Sequence, residues 1–274
     1  MAAGHQIGLM KRIFLTGASS GIGRAIAHEL IAHGHEVWGT SRDLSRIQTT
    51  ARLHAVQLDL RNSQMLEEVF TRAWRESGGL DVVINNAGSG YFGPTENFPT
   101  EALIDEFQVL VFAQLQLLQF AMRKMRARGT GLIINVTSLA SRLPVPFMAS
   151  YNSAKAALSA FTVSIQLELP KTGVRIVDLQ PADIRTEFND SVVKTDAAHY
   201  EDKVAKTWAA VERNMAAAPT PELVARQVLG LIEQSNPPPR LTVGGIFQAK
   251  IAPLIFCVLP QRLRIWGLRK YYEI

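Results

Sequence analysis

Apolar residues recur along this chain with two alternating periods. Short apolar runs at 12–17 (RIFLTG), 35–41 (HEVWGTS), 54–60 (HAVQLDL), 81–88 (DVVINNAG), 131–138 (GLIINVTS), 174–182 (VRIVDLQPA) and 240–245 (RLTVGG) read as strands, the fourth running into a turn. Between them lie stretches with helical spacing: 21–34, closed by a glycine, then a short segment before residue 54, then 63–77 and 149–169. Residues 100–129 predict one long helix, apolar on most of its circumference, and Thr220-Pro221 cap a further helix running to about Gln234. The segment from Glu187 to Met215 carries no readable motif.

Strands followed one by one by helices predict an α/β fold, a doubly wound parallel sheet with helices on both faces. On such a sheet ligands bind at the carboxyl ends of the strands, and the polar motifs of this chain fall at those ends. Composition narrows the setting. The 274 residues are 47% hydrophobic, enough to bury the core of a single domain. The lone Cys257 excludes an intrachain disulfide and fits a reducing, cytoplasmic setting. The opening MAAGHQIGLMKR lacks an apolar stretch long enough for a signal peptide. No run reaches the ~18–20 apolar residues of a membrane-spanning helix. The net charge of +5 is spread along the chain and does not predict nucleic-acid binding. Its cluster Arg123-Lys124-Arg126-Arg128 reads as a solvated helix end, well placed against the negative pole of the helix.

The chemistry begins at TGASSGIG (16–23). Gly17, Gly21 and Gly23 allow a tight turn between strand and helix, with backbone N–H groups free to meet a pyrophosphate. The second strand ends in TSRD (40–43). Ser41 and Arg42 suit the 2′-phosphate of NADP(H), where an acidic residue would select NAD. Asp43 reads as the N-cap of the next helix. Asp59 has two open readings, an acceptor for the adenine amino group or a turn residue. Tyr151 and Lys155, four apart on one helix, share a face. A phenol with an ordinary pKa of ~10 is a poor acid–base group at neutral pH; a neighbouring ammonium and a positively charged nicotinamide would lower it. Ser138 ends the preceding strand, within reach of a carbonyl at the same site. No metal-ligating pattern is seen.

Taken in order, TGASSGIG, NNAG (85–88), Ser138, YNSAK (151–155) and PADIRT (181–186) resemble the short-chain dehydrogenase/reductase family over roughly residues 11–245. The resemblance implies a Rossmann fold and carbonyl–alcohol chemistry with Tyr151 as proton donor or base. Lys155 would lower the tyrosine pKa and hold the nicotinamide ribose, and Ser138 would orient the substrate oxygen. The coenzyme would also be held by Ser19, Ser20 and Ile22 in the loop, by Leu60 beside Asp59, by Asn86, Ala87 and Gly88, and by Pro181, Ile184 and Thr186. The helices 100–128 and 149–169 resemble the family's dimer-forming pair, which implies a homo-oligomer.

Two positions depart from the family pattern. Ala182 stands where relatives have glycine. Leu110, in FQVLVFAQ (107–114), stands where the family has a catalytic asparagine. In the family account, that asparagine's carbonyl holds a proton-relay water and its side chain steadies a break in the helix. Leu110 keeps the carbonyl, so slowed chemistry or a shifted pH optimum with intact coenzyme binding is expected. A non-catalytic NADP-binding sensor is the competing reading.

The tail 246–274 is expected to form an extension to a 1–245 catalytic domain. It interleaves Ile, Leu, Phe and Trp266 with Arg and Lys. It reads either as a peripheral membrane contact or as a cover for the cleft or a second subunit, with Pro253 and Pro260 interrupting any uniform helix. Similar tails in the family imply a small-molecule substrate that is an apolar carbonyl or alcohol of lipid, retinoid or steroid type.

Overall fold

The computed structural model describes residues 9–169 and 173–274; the reading of the first eight residues lies outside them. Seven parallel strands form one sheet, in the spatial order β3 (Leu53–Gln57), β2 (Glu36–Ser41), β1 (Arg12–Leu15), β4 (Val82–Asn85), β6 (Gly131–Val136), β7 (Val174–Pro181), β9 (Arg240–Val243). All seven coincide with the strands predicted from apolar runs. A separate pair, β5 (Tyr91–Phe92) with β8 (Val193–Lys194), joins the loop after β4 to the loop after β7.

The helices cover both faces of the sheet. On one face α1 (Gly21–Ala32) and α7 (Glu222–Glu233) bury Ile26, Leu30, Val224 and Val228 against Leu15, Ile84 and Val177. On the other, α2 (Leu66–Glu76) and α4 (Ala113–Arg128) bury Phe70, Leu117 and Met125 against Phe14, Val83 and Ile133. Helix α5 (Ala149–Glu168) lies beside α4, with Ile165 partly buried in that second layer. In α2 the buried positions Leu66, Val69, Phe70 and Ala73 follow one helical stripe. Leu66, Val69 and Phe70, fully buried, each contribute about 1.5–3 kcal/mol. Helix α4 stops at Gly129, whose φ of 81° only glycine adopts readily. There Arg128 donates to the Leu80 carbonyl (2.7 Å), pairs with Asp81 (3.5 Å) and stacks on Trp74. The predicted solvated helix end therefore also fastens the α4 terminus to the start of β4.

Three elements differ from expectation. The helix predicted over 100–129 is continuous but not uniform: α3 (Thr100–Phe107) widens into a π turn, Gln108–Phe112, before α4 resumes. The region without a motif contains α6 (Glu201–Ala217), which buries little apolar surface of its own. It is held by Trp208, edge-on to Phe92 at 4.8 Å and beneath the Lys194 ammonium at 3.9 Å. The helix assigned to Thr220-Pro221 starts at Glu222, and its N-cap position is Pro221, without a side-chain cap. In the tail a π turn (Phe247–Ile251) leads into α8 (Ala252–Val258), and α9 (Gln261–Tyr271) follows. Pro253 fits the first turn of α8 without breaking it; Pro260 marks the corner before α9.

Candidate active site

The strand order reverses between β1 and β4, and the loops leaving these two carboxyl ends part there to open a cleft. The glycine loop after β1 is pulled tight. Gly17 and Gly21 take positive φ values of 71° and 49°. A side chain at Gly23 would collide with the Gly17 carbonyl and the Asn86 amide, so only glycine lets the turn close this tightly. The Thr16 hydroxyl accepts from the backbone N–H groups of Asn86 (2.8 Å) and Ala87 (3.0 Å), and the Asn86 amide donates to the Thr16 carbonyl (3.0 Å). These bonds lock the two loops together. On the far side, Thr186 approaches Gly21, and Glu187 pairs with Arg24 on α1 at 2.8 Å. The loop after β7 thus spans the glycine turn.

At the end of β2, the Ser41 hydroxyl accepts from the Asp43 backbone N–H (3.2 Å). The Asp43 carboxylate caps a short 3-10 turn by accepting from the Ser45 N–H (2.9 Å), as expected of an N-cap. The Arg42 guanidinium makes no salt bridge among the described residues, and Arg46 lines the same corner. Two cations and a hydroxyl fit a phosphate ester there, with the Asp43 carboxylate turned to the Ser45 N–H and hydroxyl. Asp59 lines the cleft, and its carboxylate pairs with Arg61 at 3.0 Å.

At the other end, Tyr151 and Lys155 face the cleft from the first turns of α5, the ammonium 5.9 Å from the phenol ring centre. The Lys155 ammonium donates to the Val136 carbonyl at the end of β6 (2.9 Å). Burial pulls Lys155 down to about 8, against the anions Glu106 and Asp178, which favour its charged form. Burial pushes Tyr151 up to about 12; the Ser138 hydroxyl beside it opposes this, and the carboxylates of Glu106 and Asp183 add to it. In the protein alone, desolvation outweighs the Ser138 hydrogen bond and keeps the phenol protonated. A phenol that holds its proton at neutral pH is an acid donor to a carbonyl oxygen. Below this pair Asp178 is fully buried and saturated, accepting from Thr137 (2.5 Å), Ser159 (2.7 Å), Gln180 (2.9 Å) and Arg240 (2.9 Å).

Every residue named from the sequence as catalytic or coenzyme-binding lines one cleft of about 1420 Å³. Its outer wall comes from the tail, where Phe247, Ile255, Phe256, Leu259 and Leu268 face the same space. Gln248 ties this wall to the loop after β7, donating to Asp183 (2.5 Å) and reaching the Tyr271 hydroxyl (3.0 Å). Burial raises the Asp183 pKa, with the Gln248 bond opposing.

Residues 11–197 match the family model described as short chain dehydrogenase. The chain belongs to the short-chain dehydrogenase/reductase family. Along nearly its whole length it is similar to the 3-ketodihydrosphingosine reductase of Bacteroides thetaiotaomicron, 27% identical over 96% of this chain and 98% of that protein. An NADPH-dependent 1-acyldihydroxyacetone phosphate reductase from Schizosaccharomyces pombe is 30% identical over 71% of this chain and 67% of the relative. A short-chain dehydrogenase from Streptomyces avermitilis superposes with a TM-score of 0.81 at 25% identity, covering 97% of both chains.

As a short-chain dehydrogenase/reductase, the chain departs from pattern at two positions, and each departure has a local counterpart. Leu110 was expected to leave the opened helix without an amide. The helix does open there, but Gln114, one turn on and fully buried, supplies the missing donor. Its amide donates to the carbonyls of Ala87 (2.8 Å) and Val109 (3.3 Å), while its own backbone carbonyl accepts from Asn85 (3.2 Å). Asn85 continues to Asn135 (2.9 Å) and Asn135 to Thr162 (2.8 Å), so one chain of amides runs from α4 through the sheet to α5. Leu110 itself is buried against Ala154 and approaches Gly88, at a spot also within reach of the Lys155 ammonium. Ala182 is matched by Gly244: a side chain at 244 would strike the Ala182 methyl.

The sequence reading passed over Gln114, Arg46, Asp183 and Glu106. Only Glu106 left a signal there, a carboxylate one helical turn before Leu110 on an apolar face.

Proposed function

We propose that this short-chain dehydrogenase/reductase is an NADP(H)-dependent oxidoreductase that interconverts a carbonyl and an alcohol on an apolar, lipid-like substrate. The observation that carries the reading is the continuity of the cleft. Its glycine loop and Arg42 corner, the Ser138–Tyr151–Lys155 group and the apolar wall of α8 and α9 follow one another along a single groove. Bound at the glycine loop, the coenzyme supplies a hydride. Ser138 and Tyr151 hold the substrate oxygen, and Tyr151 gives it a proton. Lys155, charged at neutral pH, holds the nicotinamide ribose and offsets the negative charge left on the phenol. In the oxidation direction Tyr151 must first lose its proton, which the positive charge of the oxidised nicotinamide favours. The protonation states of the site therefore suit reduction. Relatives named as reductases of a 3-keto sphingoid and an acyl dihydroxyacetone phosphate support a lipid-like carbonyl.

In this reading residues 246–274 form an extension to the 1–245 catalytic domain, and that extension is also the approach to a membrane surface. Ile246, Leu254, Val258 and Trp266 are exposed on the outside of the wall that lines the cleft, with Lys250, Arg262 and Arg269 among them. No described helix is long and apolar enough to cross a membrane, so contact would be peripheral. Phe112, exposed on the π turn between α3 and α4, and Phe161 and Leu167, exposed on α5, are the expected face of a homo-oligomer.

The test of the chemistry is Tyr151→Phe, followed as NADPH oxidation with long-chain ketones. Turnover is expected to fall by about 10²–10⁴-fold with NADPH affinity unchanged; retained turnover would remove Tyr151 from the reaction. For the tail, full-length Leu254→Ser/Val258→Ser protein should lose sedimentation with anionic vesicles that wild type shows. Equal behaviour would sink the membrane contact.

A further inference from the structure

Gly267 lies in the interior of α9, and nothing in its backbone asks for a glycine. Its conformation is ordinary right-handed helix, not the left-handed region that glycine enters most readily. No other element presses against it: among the described residues, a Cβ built at this position meets nothing within 4 Å. A glycine inside a helix is nonetheless less favourable than alanine. Backbone strain and close packing, the two usual reasons for accepting that cost, are both absent here.

What the position does have is the cleft. Leu263, Arg264, Gly267, Leu268 and Tyr271 line it, at the i, i+4 and i+8 spacing of one helical face. Ile265, Trp266 and Arg269 fall on the other side of α9 and are exposed. Gly267 therefore leaves a notch in the inner face of the helix, between Leu263 one turn before and Tyr271 one turn after. The same space is walled by Phe256 of α8 and by Val211 and Met215 of α6. The helix that carries the notch is held at both ends. Arg264 donates to the carbonyls of Leu259 (2.7 Å) and Cys257 (2.9 Å), fixing α9 to the end of α8 across the Pro260 corner. At the far end Gln248 reaches the Tyr271 hydroxyl (3.0 Å), and Tyr272 is buried. The cleft, at about 1420 Å³, is also larger than the ~300–1,000 Å³ typical of ligand pockets.

We propose that Gly267 is a specificity-determining residue: its missing side chain makes room for the hydrocarbon chain of a long ketone, running along α9 while the carbonyl is held at Tyr151. A gap one side chain wide admits an unbranched chain more readily than a fused ring system. The substrate class is thereby narrowed to straight-chain ketones. The inference rests on the reading of the cleft as a site for an apolar carbonyl, so its test includes a measurement that needs no turnover.

The test is a chain-length profile. Full-length Gly267→Ala, Gly267→Leu and Gly267→Phe are assayed with NADPH and straight-chain methyl ketones from hexanone to dodecanone. Each methylene kept out of an apolar pocket loses about fourfold in binding. A leucine that displaces three or four of them should lower the kcat/KM ratio of dodecanone over hexanone by about 10²-fold, alanine by less and phenylalanine by more. Tm should hold or rise, since each replacement is a better helix former than glycine. An unmoved ratio, or a loss shared equally by both ketones, would overturn the proposal. The alanine variant serves if the larger ones fail to fold. The same ketones are titrated by calorimetry into the protein–NADP+ complex, which has no hydride to give. If wild type reduces no ketone, yet binding there grows with chain length and Gly267→Leu removes that growth, the channel stands and the catalytic reading fails. Hexanone and dodecanone binding alike to wild type would overturn the channel.

Discussion

The two ends of the cleft are built on different principles. At the glycine-loop end the work is done by backbone: Gly17, Gly21 and Gly23 set its path, and Thr16, Asn86 and Thr40 join neighbouring loops through short bonds. The Thr16 and Thr40 hydroxyls there are each hydrogen-bonded. At the reacting end the balance reverses. Tyr151 and Lys155 are held far from their ordinary pKa values by burial, and the oxygens of Glu106, Ser150 and the Gln114 side chain have no partner among the described residues. A fold tolerates such local costs where chemistry uses them. Binding is thus encoded in shape, and reactivity in unbalanced charge.

That contrast can be broken at several points. The largest effect is expected at the coenzyme corner. Arg42→Ala should weaken NADPH binding by about tenfold while leaving NADH nearly unchanged, as read by fluorescence titration of both coenzymes. Equal losses for the two would mean that the 2′-phosphate does not sit there. Next comes the helix break. Gln114→Leu leaves the Ala87 and Val109 carbonyls without their donor and should cost about 1–3 kcal/mol of stability, measured by urea unfolding. It should also slow turnover, because the π turn backs α5. Unchanged stability would mean that the amide chain is incidental.

The smallest effect on turnover is expected at Leu110. From sequence, Leu110→Asn should restore a missing part and raise kcat. With Gln114 already holding the opened helix and Leu110 packed on Gly88 and Ala154, the asparagine instead places a second amide in an apolar pocket. Tm should fall, by the equivalent of about 1–3 kcal/mol, with no gain in kcat. A clear rise in kcat would show that the amide is needed for chemistry after all.

How much of this was legible in the sequence follows the same division. All seven sheet strands lay in plain apolar runs, since a strand buried on both faces shows itself in composition alone. The glycine loop and the Asp43 cap were equally plain, because turn geometry restricts which residues can stand there. Helix α6 was not legible: Trp208 and Lys194 hold it through contacts made only in the folded chain. The π turn was expected as a weakness and found as a repaired feature, because Gln114 looks like any polar helix residue until the Val109 carbonyl is set beside it. Glu106 escaped for a related reason. Nothing in the pattern of 100–107 reveals that one of its carboxylates is fully buried.

The most direct test mixes the preformed protein–NADPH complex with long-chain 3-keto and acyl-ketone substrates and follows NADPH absorbance through a single turnover at neutral pH. The account predicts stoichiometric NADPH oxidation with an apolar ketone, and little with short polar ones. Tight NADPH binding without oxidation across that panel, while a related reductase turns over in the same assay, would contradict it.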